Sequence, residues 1–375
     1  MAVREEKIPF VSLATETKRE VVPAILDSIR GLFEKSNFIL GDDVLCFERK
    51  FADLAGCPLA VGVNSGLDAL LLSLRSLNLK PTDEVITPPN SFLASTSAIV
   101  LAGAKPVFAD VGIDYNIDPE AVVRAITSRT RAIVVVHLTG NPCEMDRILE
   151  ITKAHQLTLI EDAAQAIGAT YQGNPVGGFG DFGCFSLHPL KNLHIWGDGG
   201  VITLKDAEKA TELRMARNHG LRNRDESDFF SYNSRLDTLQ AIVGLHFLPL
   251  LEKVSELRRK NASIYEQRLS SVREWVGTPI WNRNKAHPVF HVYQVRVKDR
   301  NRLKEFLLEK GIETKIHYPV PIHFQKAAMG LGYSRGDFPV TEKLAEEILS
   351  LPIRENLTED EIHRICDAVE SFYRR

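Results

Sequence analysis

Each thing this chain of 375 residues has little of removes a class of protein. Its five cysteines, Cys46, Cys57, Cys143, Cys184 and Cys366, are odd in number and lack CxxC or zinc-type spacing. That argues against a disulfide framework and points to a reducing, cytoplasmic compartment. No apolar run approaches the roughly 18 residues needed to cross a bilayer. The opening "MAVREEKIPF" places acidic residues where a secretory leader carries its apolar core, so neither a leader nor a membrane anchor is expected. Charge of one sign is lacking too: 46 Lys and Arg against 49 Asp and Glu leave a formal net charge of -3, with the basic residues dispersed. There is no electrostatic footprint for nucleic acid. Repeats of solenoid period and low-complexity stretches are missing as well. What remains, 44% hydrophobic and 25% charged, is ordinary for a chain that folds as a large α/β unit with a smaller one beside it.

Apolar strand-like runs alternate with helix-periodic segments: "PLAVGVNS" then "GLDALLLSLRSLNL", "DEVITP" then "SFLASTSAIVLAG", "AKPVFADV" then "PEAVVRAITS", "TRAIVVVHL" then "EMDRILEITKAHQ", and "LTLIEDAA". This alternation predicts a mostly parallel sheet covered by helices on both faces. "FGCFSLH" and "GGVITL" read as further strands with Lys191 on the connection between them. Residues 234–269 read as one long amphipathic helix, followed by a shorter α/β segment ending in the helix "TEDEIHRICDAVESFYR". We therefore expect residues 1–250, with the N-terminal segment, to form the large unit and residues 251–375 the small C-terminal one.

In parallel α/β sheets, ligands bind beyond the carboxyl ends of the strands, and several polar residues fall there. Asn64, Ser65 and Gly66 end one strand and open a helix, whose first-turn N–H groups suit a phosphate. Asp162 ends "LTLIED", a run apolar enough to be buried on both faces, where a carboxylate wants a cationic partner. Phe92 stands where a planar ligand can stack. Lys191 completes the set, because a partly desolvated lysine has a lowered pKa and can bond an aldehyde. Pyridoxal 5′-phosphate needs these parts together: a lysine for its aldehyde, a carboxylate for its ring nitrogen, a helix start for its phosphate and a flat surface for its ring. The glycines of "WGDGG", Gly197, Gly199 and Gly200, read as a turn that lets backbone pass close to the lysine.

"EDAAQAIGATYQGNPVGGFGDFGCFSLHPLKNLHIWGDGGVITL" closely resembles the signature of the DegT/DnrJ/EryC1/StrS family, sugar aminotransferases of the aspartate-aminotransferase fold type I. The resemblance spans nearly the whole chain, from "IPFVSL" and "FILGDDVLCFERKFADLAG" through "VVHLTGNPCEMDRI" and "SYNSRLDTLQA" to "IHYPVPIHFQKA". It implies that Lys191 bonds the cofactor, Asp162 partners the pyridine nitrogen and Gln165 hydrogen-bonds the phenolic oxygen. Ser186, the backbone of Ser65 and Gly66 and the side chain around Leu67 correspond to the phosphate cradle, and Phe92 to the stacking aromatic. Asn233 would reach the phosphate of a neighbouring subunit, which implies a homodimer with shared active sites. For the sugar side the candidates are His188, His219, Arg235, His317, Tyr318 and His323, with Arg217 as a further partner for substrate phosphates.

Departures from the pattern sharpen the reading. Leu67 stands where many members carry threonine, and "NSGLDAL" resembles the branch acting at C3 of 3-keto nucleotide sugars. Thr139 and Asn141 replace a common tyrosine and glutamine. Lys191 itself disfavours the deoxygenating branch, which carries histidine there. The resemblance thus implies transfer of an amino group from L-glutamate to a nucleotide-linked keto sugar, with no metal: His317 and His323 lack further ligands at metal-binding spacing. The alternatives are a regulatory or scaffold protein that keeps the cofactor without turnover, and a sugar dehydratase.

Overall fold

The computed structural model describes residues 7–13 and 16–374; the opening "MAVREE", on which the leader argument rests, lies outside them. In chain order the strands are β1 (Leu59–Val63), β2 (Glu84–Thr87), β3 (Lys105–Phe108), β4 (Thr130–Val136), β5 (Thr158–Asp162), β6 (Thr170–Tyr171), β7 (Asn174–Pro175), β8 (Phe182–Ser186), β9 (Gly200–Leu204), β10 (Val276–Gly277), β11 (Ala286–His287), β12 (Tyr293–Val297) and β13 (Ile348–Leu351). Seven of them form one sheet in the order β1-β9-β8-β5-β4-β2-β3. The run from β8 to β3 is parallel, while β9 is antiparallel to both its neighbours. β4 and β5 lie in the middle of the parallel run and are almost wholly buried, as expected for strands covered on both faces. All the carboxyl ends of the parallel strands open on one rim.

Helices cover both faces. The helix Gly66–Arg75 packs Leu70, Leu72 and Leu74 against Val61, Val85 and Ile202 on one side. On the other, Phe47, Phe51 and Phe185 form a fully buried aromatic group, with Phe51 and Phe185 edge to face at 4.9 Å. Truncating one such ring costs about 3–5 kcal/mol. Residues 234–269, expected as one helix, form Thr238–Phe247 and Leu251–Leu269 with a 3₁₀ turn, Leu248–Leu250, between them. Pro249 explains the break, since it has no N–H to give the preceding turn.

A second core surrounds the sheet β10-β12-β13 and gathers Tyr265, Tyr293, Leu303, Ile362 and Val369. The helix Leu251–Leu269 belongs to both cores, through Leu251 in the first and Ala262, Tyr265 and Leu269 in the second. The helix Glu16–Lys35 packs on the first core through Ile25, but the segment ahead of it, expected with residues up to 250, packs on the second: Ile8 is fully buried there. Its N–H donates to Gly311 O at 2.9 Å and its carbonyl accepts from Glu313 N at 3.0 Å. An isolated apolar strand-former can be satisfied by any free backbone edge, and this one is offered by residues 311–313.

Candidate active site

The rim of strand ends is where the chemistry-bearing residues meet. Ser65 caps the helix Gly66–Arg75, its Oγ accepting from Asp68 N at 3.0 Å. The first N–H groups of that helix, at Gly66 and Leu67, have no partner inside the helix. Three backbones converge here. A Cβ on Gly66 would lie 2.8 Å from Ser186 Cβ, and one on Gly200 would lie 2.3 Å from Ser65 O. Of the glycines of "WGDGG", Gly200 serves this close approach to the Ser65 turn, while a Cβ on Gly197 would meet Gln240 and one on Gly199 would meet Ile195 and Leu236. Ser186, at the end of β8, accepts a hydrogen bond from His188 N at 3.3 Å, which leaves its hydroxyl proton free to face an oxyanion in the cradle.

Asp162 closes β5 and is 6% exposed. Its Oδ1 accepts from Ala164 N at 3.2 Å and its Oδ2 from Ser95 Oγ at 2.7 Å. Burial pushes its pKa up; Ser95, the Ala164 N–H, Lys191 and His137 oppose that. Lys191 sits in a turn after β8, held by its N–H on His188 O at 2.8 Å. Burial lowers its pKa from 10.5 to about 8, with Asp162 pulling the other way. Gln165 is fixed by Thr139 N, which donates to Oε1 at 2.7 Å, and its Nε2 donates to Tyr318 Oη at 3.2 Å. Thr139 holds the left-handed conformation, φ 62°, an uncommon place for a β-branched residue and a mark of constraint at a site.

Phe92 starts the helix Leu93–Leu101 and leaves 57% of its surface open. Its ring lies 5.7 Å from that of Tyr318, in tilted contact with it, so the two form one aromatic wall at this rim. Next to Lys191 a cavity of about 80 Å³ is lined by Phe10, Arg258, His291, His317 and Arg354, among others. Burial lowers the pKa of His317 to about 4 and holds that of His291 well below the usual imidazole range, and the charge of Lys191 adds to both. His317 Nδ1 meets Ser350 Oγ at 2.9 Å. Asn192 ties the lysine turn to the chain just before β12 by donating to Val289 O at 3.0 Å.

Not every sequence candidate is in this group. His188 is exposed on the lysine turn. His323 is 4% exposed, bonded to Glu342 Oε1 at 3.2 Å and set against the Phe324 and Phe338 rings, which makes it a packing residue of that corner. Arg217 is buried in an ion pair with Glu48 and donates to Gly62 O, so it ties β1 to the chain beyond and is withdrawn from substrate. Asn233 and His219 are exposed on the segment that returns past β1. That segment is fixed by His219 N to Tyr232 O at 2.8 Å and by Asn64 N to Ser234 O at 3.2 Å. Arg235 donates to Asn218 Oδ1 at 3.0 Å. Residues missed by sequence reasoning are Ser95, Asn192, His291 and Phe10. Only Ser95 had a signal, three positions after Phe92 on one helix face.

The site fits pyridoxal 5′-phosphate on its own chemistry: a half-buried amine with a lowered pKa, a buried carboxylate, an open aromatic face and a glycine cradle that a Cβ would fill. Fold and site together define the class of pyridoxal-phosphate-dependent transaminases. The chain belongs to the DegT/DnrJ/EryC1/StrS aminotransferase family, whose model matches residues 20–370. It is 41% identical to the dTDP-3-amino-3,6-dideoxy-alpha-D-galactopyranose transaminase of Aneurinibacillus thermoaerophilus, over 97% of this chain and 99% of that one. It is 40% identical to a pleiotropic regulatory protein of Geobacillus stearothermophilus, over 98% and 99%. The crystal structure of DesV from S. venezuelae superimposes with a TM-score of 0.95 at 38% identity, covering 98% of this chain and 99% of that one.

Proposed function

We propose that this protein transfers the amino group of L-glutamate to the C3 keto group of a nucleotide-linked 6-deoxyhexose, supplying amino-sugar biosynthesis in the cytoplasm. The observation that carries this is Lys191, an amine with a pKa of about 8 beside a buried carboxylate at the strand-end rim. The C3 position is supported by the similarity to a transaminase named for a 3-amino sugar. When bound, pyridoxal phosphate supplies the aldehyde that takes up the amino group and the electron-poor ring that accepts charge from the donor's α-carbon. Asp162 holds the proton on the ring nitrogen. Gln165 orients the ring through its phenolic oxygen, and Ser65, Gly66, Leu67 and Ser186 hold the phosphate. Lys191 Nζ would hold the cofactor's aldehyde and, as a neutral amine, would take up and return the proton that moves during transfer. Phe92 covers the ring, and Tyr318 and His317 face the sugar side, with His188, His219 and Arg235 at its margin.

The functional unit in this reading is a homodimer in which Asn233 of one chain completes the phosphate site of the other. Phe38, Ile39, Trp196, Leu239 and Phe230 are all exposed. Phe38 and Ile39 lie along residues 237–238, and Gln240 bonds Trp196 O, so most of these form one apolar patch of the kind that a second subunit covers. Within the chain we place the division between large and small units near residue 250, with the stretch around Ile8 on the small one and the helix Glu16–Lys35 on the large one. A regulatory reading is supported by the name of one relative. The deciding experiment is an absorbance spectrum of the cofactor-loaded protein before and after L-glutamate, alongside Lys191→Ala. A visible band that glutamate bleaches, absent in the variant, supports the transaminase; a band that no amino donor changes favours the regulator. Light scattering that reports a monomer overturns the shared site.

A further inference from the structure

We propose that Ser95 is a positioning residue for the transamination chemistry, holding the Asp162 carboxylate in one orientation as the acceptor for the proton on the cofactor's ring nitrogen. This rests on the assignment of Asp162 to that nitrogen. Ser95 lies inside the helix Leu93–Leu101 and is 1% exposed. A buried helical serine normally satisfies itself on the carbonyl four residues back, as Ser73 does on Ala69 O at 2.8 Å. Ser95 does otherwise: its hydroxyl crosses to Asp162 Oδ2 at 2.7 Å.

The second oxygen of Asp162 is held by Ala164 N, so each carboxylate oxygen has one fixed donor and neither can turn. The donors differ in kind. Ala164 N–H is backbone and survives any substitution but proline, whereas the Ser95 hydroxyl is, among the described residues, the side chain that donates to this carboxylate. Burial favours the protonated carboxyl, and among the opposing influences Ser95 comes first, ahead of Ala164 N–H, Lys191 on the lysine turn and His137 beyond β4. Tyr318, Cys143 and Cys184 also sense the Asp162 charge from the elements around it. A carboxyl that keeps its own proton cannot accept a share of the ring's. The helix that presents Phe92 at its start therefore presents, one turn later, the group that sets how firmly the ring is protonated.

The test uses Ser95→Ala, Ser95→Thr, Ser95→Cys and Asp162→Asn. In cofactor-free protein, the Asp162 carboxyl is followed by infrared titration as the signal lost in Asp162→Asn. Ser95→Ala should raise its midpoint by about one to two pH units, the worth of a hydrogen bond to a charged group. In loaded protein, a ring nitrogen that holds its proton less firmly puts less positive charge near the other titrating nitrogen. The pH midpoint of the visible absorbance change should then move up in Ser95→Ala and Asp162→Asn, return in Ser95→Thr, and move partway in Ser95→Cys. Turnover of Ser95→Ala should fall about tenfold with little change in the donor KM. If Asp162→Asn moves the visible midpoint and Ser95→Ala and Ser95→Cys move neither titration, Ser95 is only a packing residue and the proposal fails. If Asp162→Asn moves nothing, the assignment of Asp162 falls, and the proposal with it.

Discussion

Replacing Lys191 by methionine should make the cofactor-free protein more stable at neutral pH, although it removes the residue on which the chemistry depends. The lysine's amine is half-buried among Phe10, Leu190, His291 and His317, and desolvation brings its pKa from 10.5 to about 8. A group whose folded-state pKa lies below its unfolded value binds fewer protons when folded across the interval between them. Stability therefore rises with pH through that interval and is lowest below it. At about 1.4 kcal/mol for each pH unit the full cost is about 3 kcal/mol, and partial solvent access reduces it to about 2 kcal/mol. Methionine matches the stem of lysine without the charge, so Lys191→Met should gain about 2 kcal/mol at pH 7 in urea unfolding, and the gain should shrink as pH passes from 8 towards 10.5. The same shift has a kinetic face. With a pKa near 8, about one amine in ten is neutral at pH 7, against fewer than one in a thousand for an ordinary lysine. Capture of pyridoxal phosphate by the apoprotein should accelerate with pH and level off above 8. A Lys191→Met variant no more stable than wild type at pH 7, or a gain independent of pH, would refute the desolvation argument.

Two further substitutions probe the frame around the lysine. Gly66→Ala adds a Cβ 2.8 Å from Ser186 Cβ; the overpacking should cost about 1–3 kcal/mol and weaken cofactor binding at least tenfold by fluorescence titration. Adding Ser186→Gly should recover much of the lost thermal stability. Glu161, fully buried behind Asp162, accepts from Phe179 N and Gly180 N on Oε1, and on Oε2 from Gly177 N and from His137 Nε2. The His137 proton is on Nε2 because Nδ1 accepts from Cys143 N at 3.0 Å. Either orientation of a glutamine amide would point its NH₂ at two donors, so Glu161→Gln should lose about 3 kcal/mol by chemical denaturation. A loss below about 1 kcal/mol would show that the turn 177–180 can rearrange to avoid the conflict.

Residues whose role follows from local pattern were legible in the sequence. Asp162 stands out because a carboxylate ends a strand that is otherwise apolar, and Ser65 and Gly66 because a strand stops and a helix starts between them. The alternation of β1 to β5 with helices fixed the parallel part of the sheet in the same way. Residues that depend on tertiary approach were not legible. His291 looks like an ordinary strand-flanking histidine until β12 packs beside the lysine turn, and Phe10 like a stray aromatic until Ile8 pairs with Ile312. His323 failed for the opposite reason: its spacing from His317 suggests a shared site, but the turn Ile322–Phe324 carries it into a separate aromatic corner. The antiparallel direction of β9 was also hidden, because a buried strand's composition is the same in either direction. That reversal puts the first residue of β9 at the rim, where Gly200 packs on Ser65.

The lysine's reactivity is for this reason a property of both cores. The turn that carries Lys191 belongs to the first, yet the groups that exclude water from its amine come from the second and from the N-terminal segment: His291 before β12, His317 before β13, and Phe10, whose ring stacks on His317 at 5.8 Å. The two histidines sit in the cleft uncharged because their own pKa values are depressed, in part by the lysine. Lys191 and the two histidines share one poorly hydrated space with the guanidinium groups of Arg258 and Arg354, and of the three that can give up a proton Lys191 is the one whose charge Asp162 supports. Loosening the second core would hydrate the cleft and return the lysine towards 10.5. The pH at which the apoprotein captures its cofactor thus reports on the packing of the C-terminal unit, which contributes no covalent partner to the reaction.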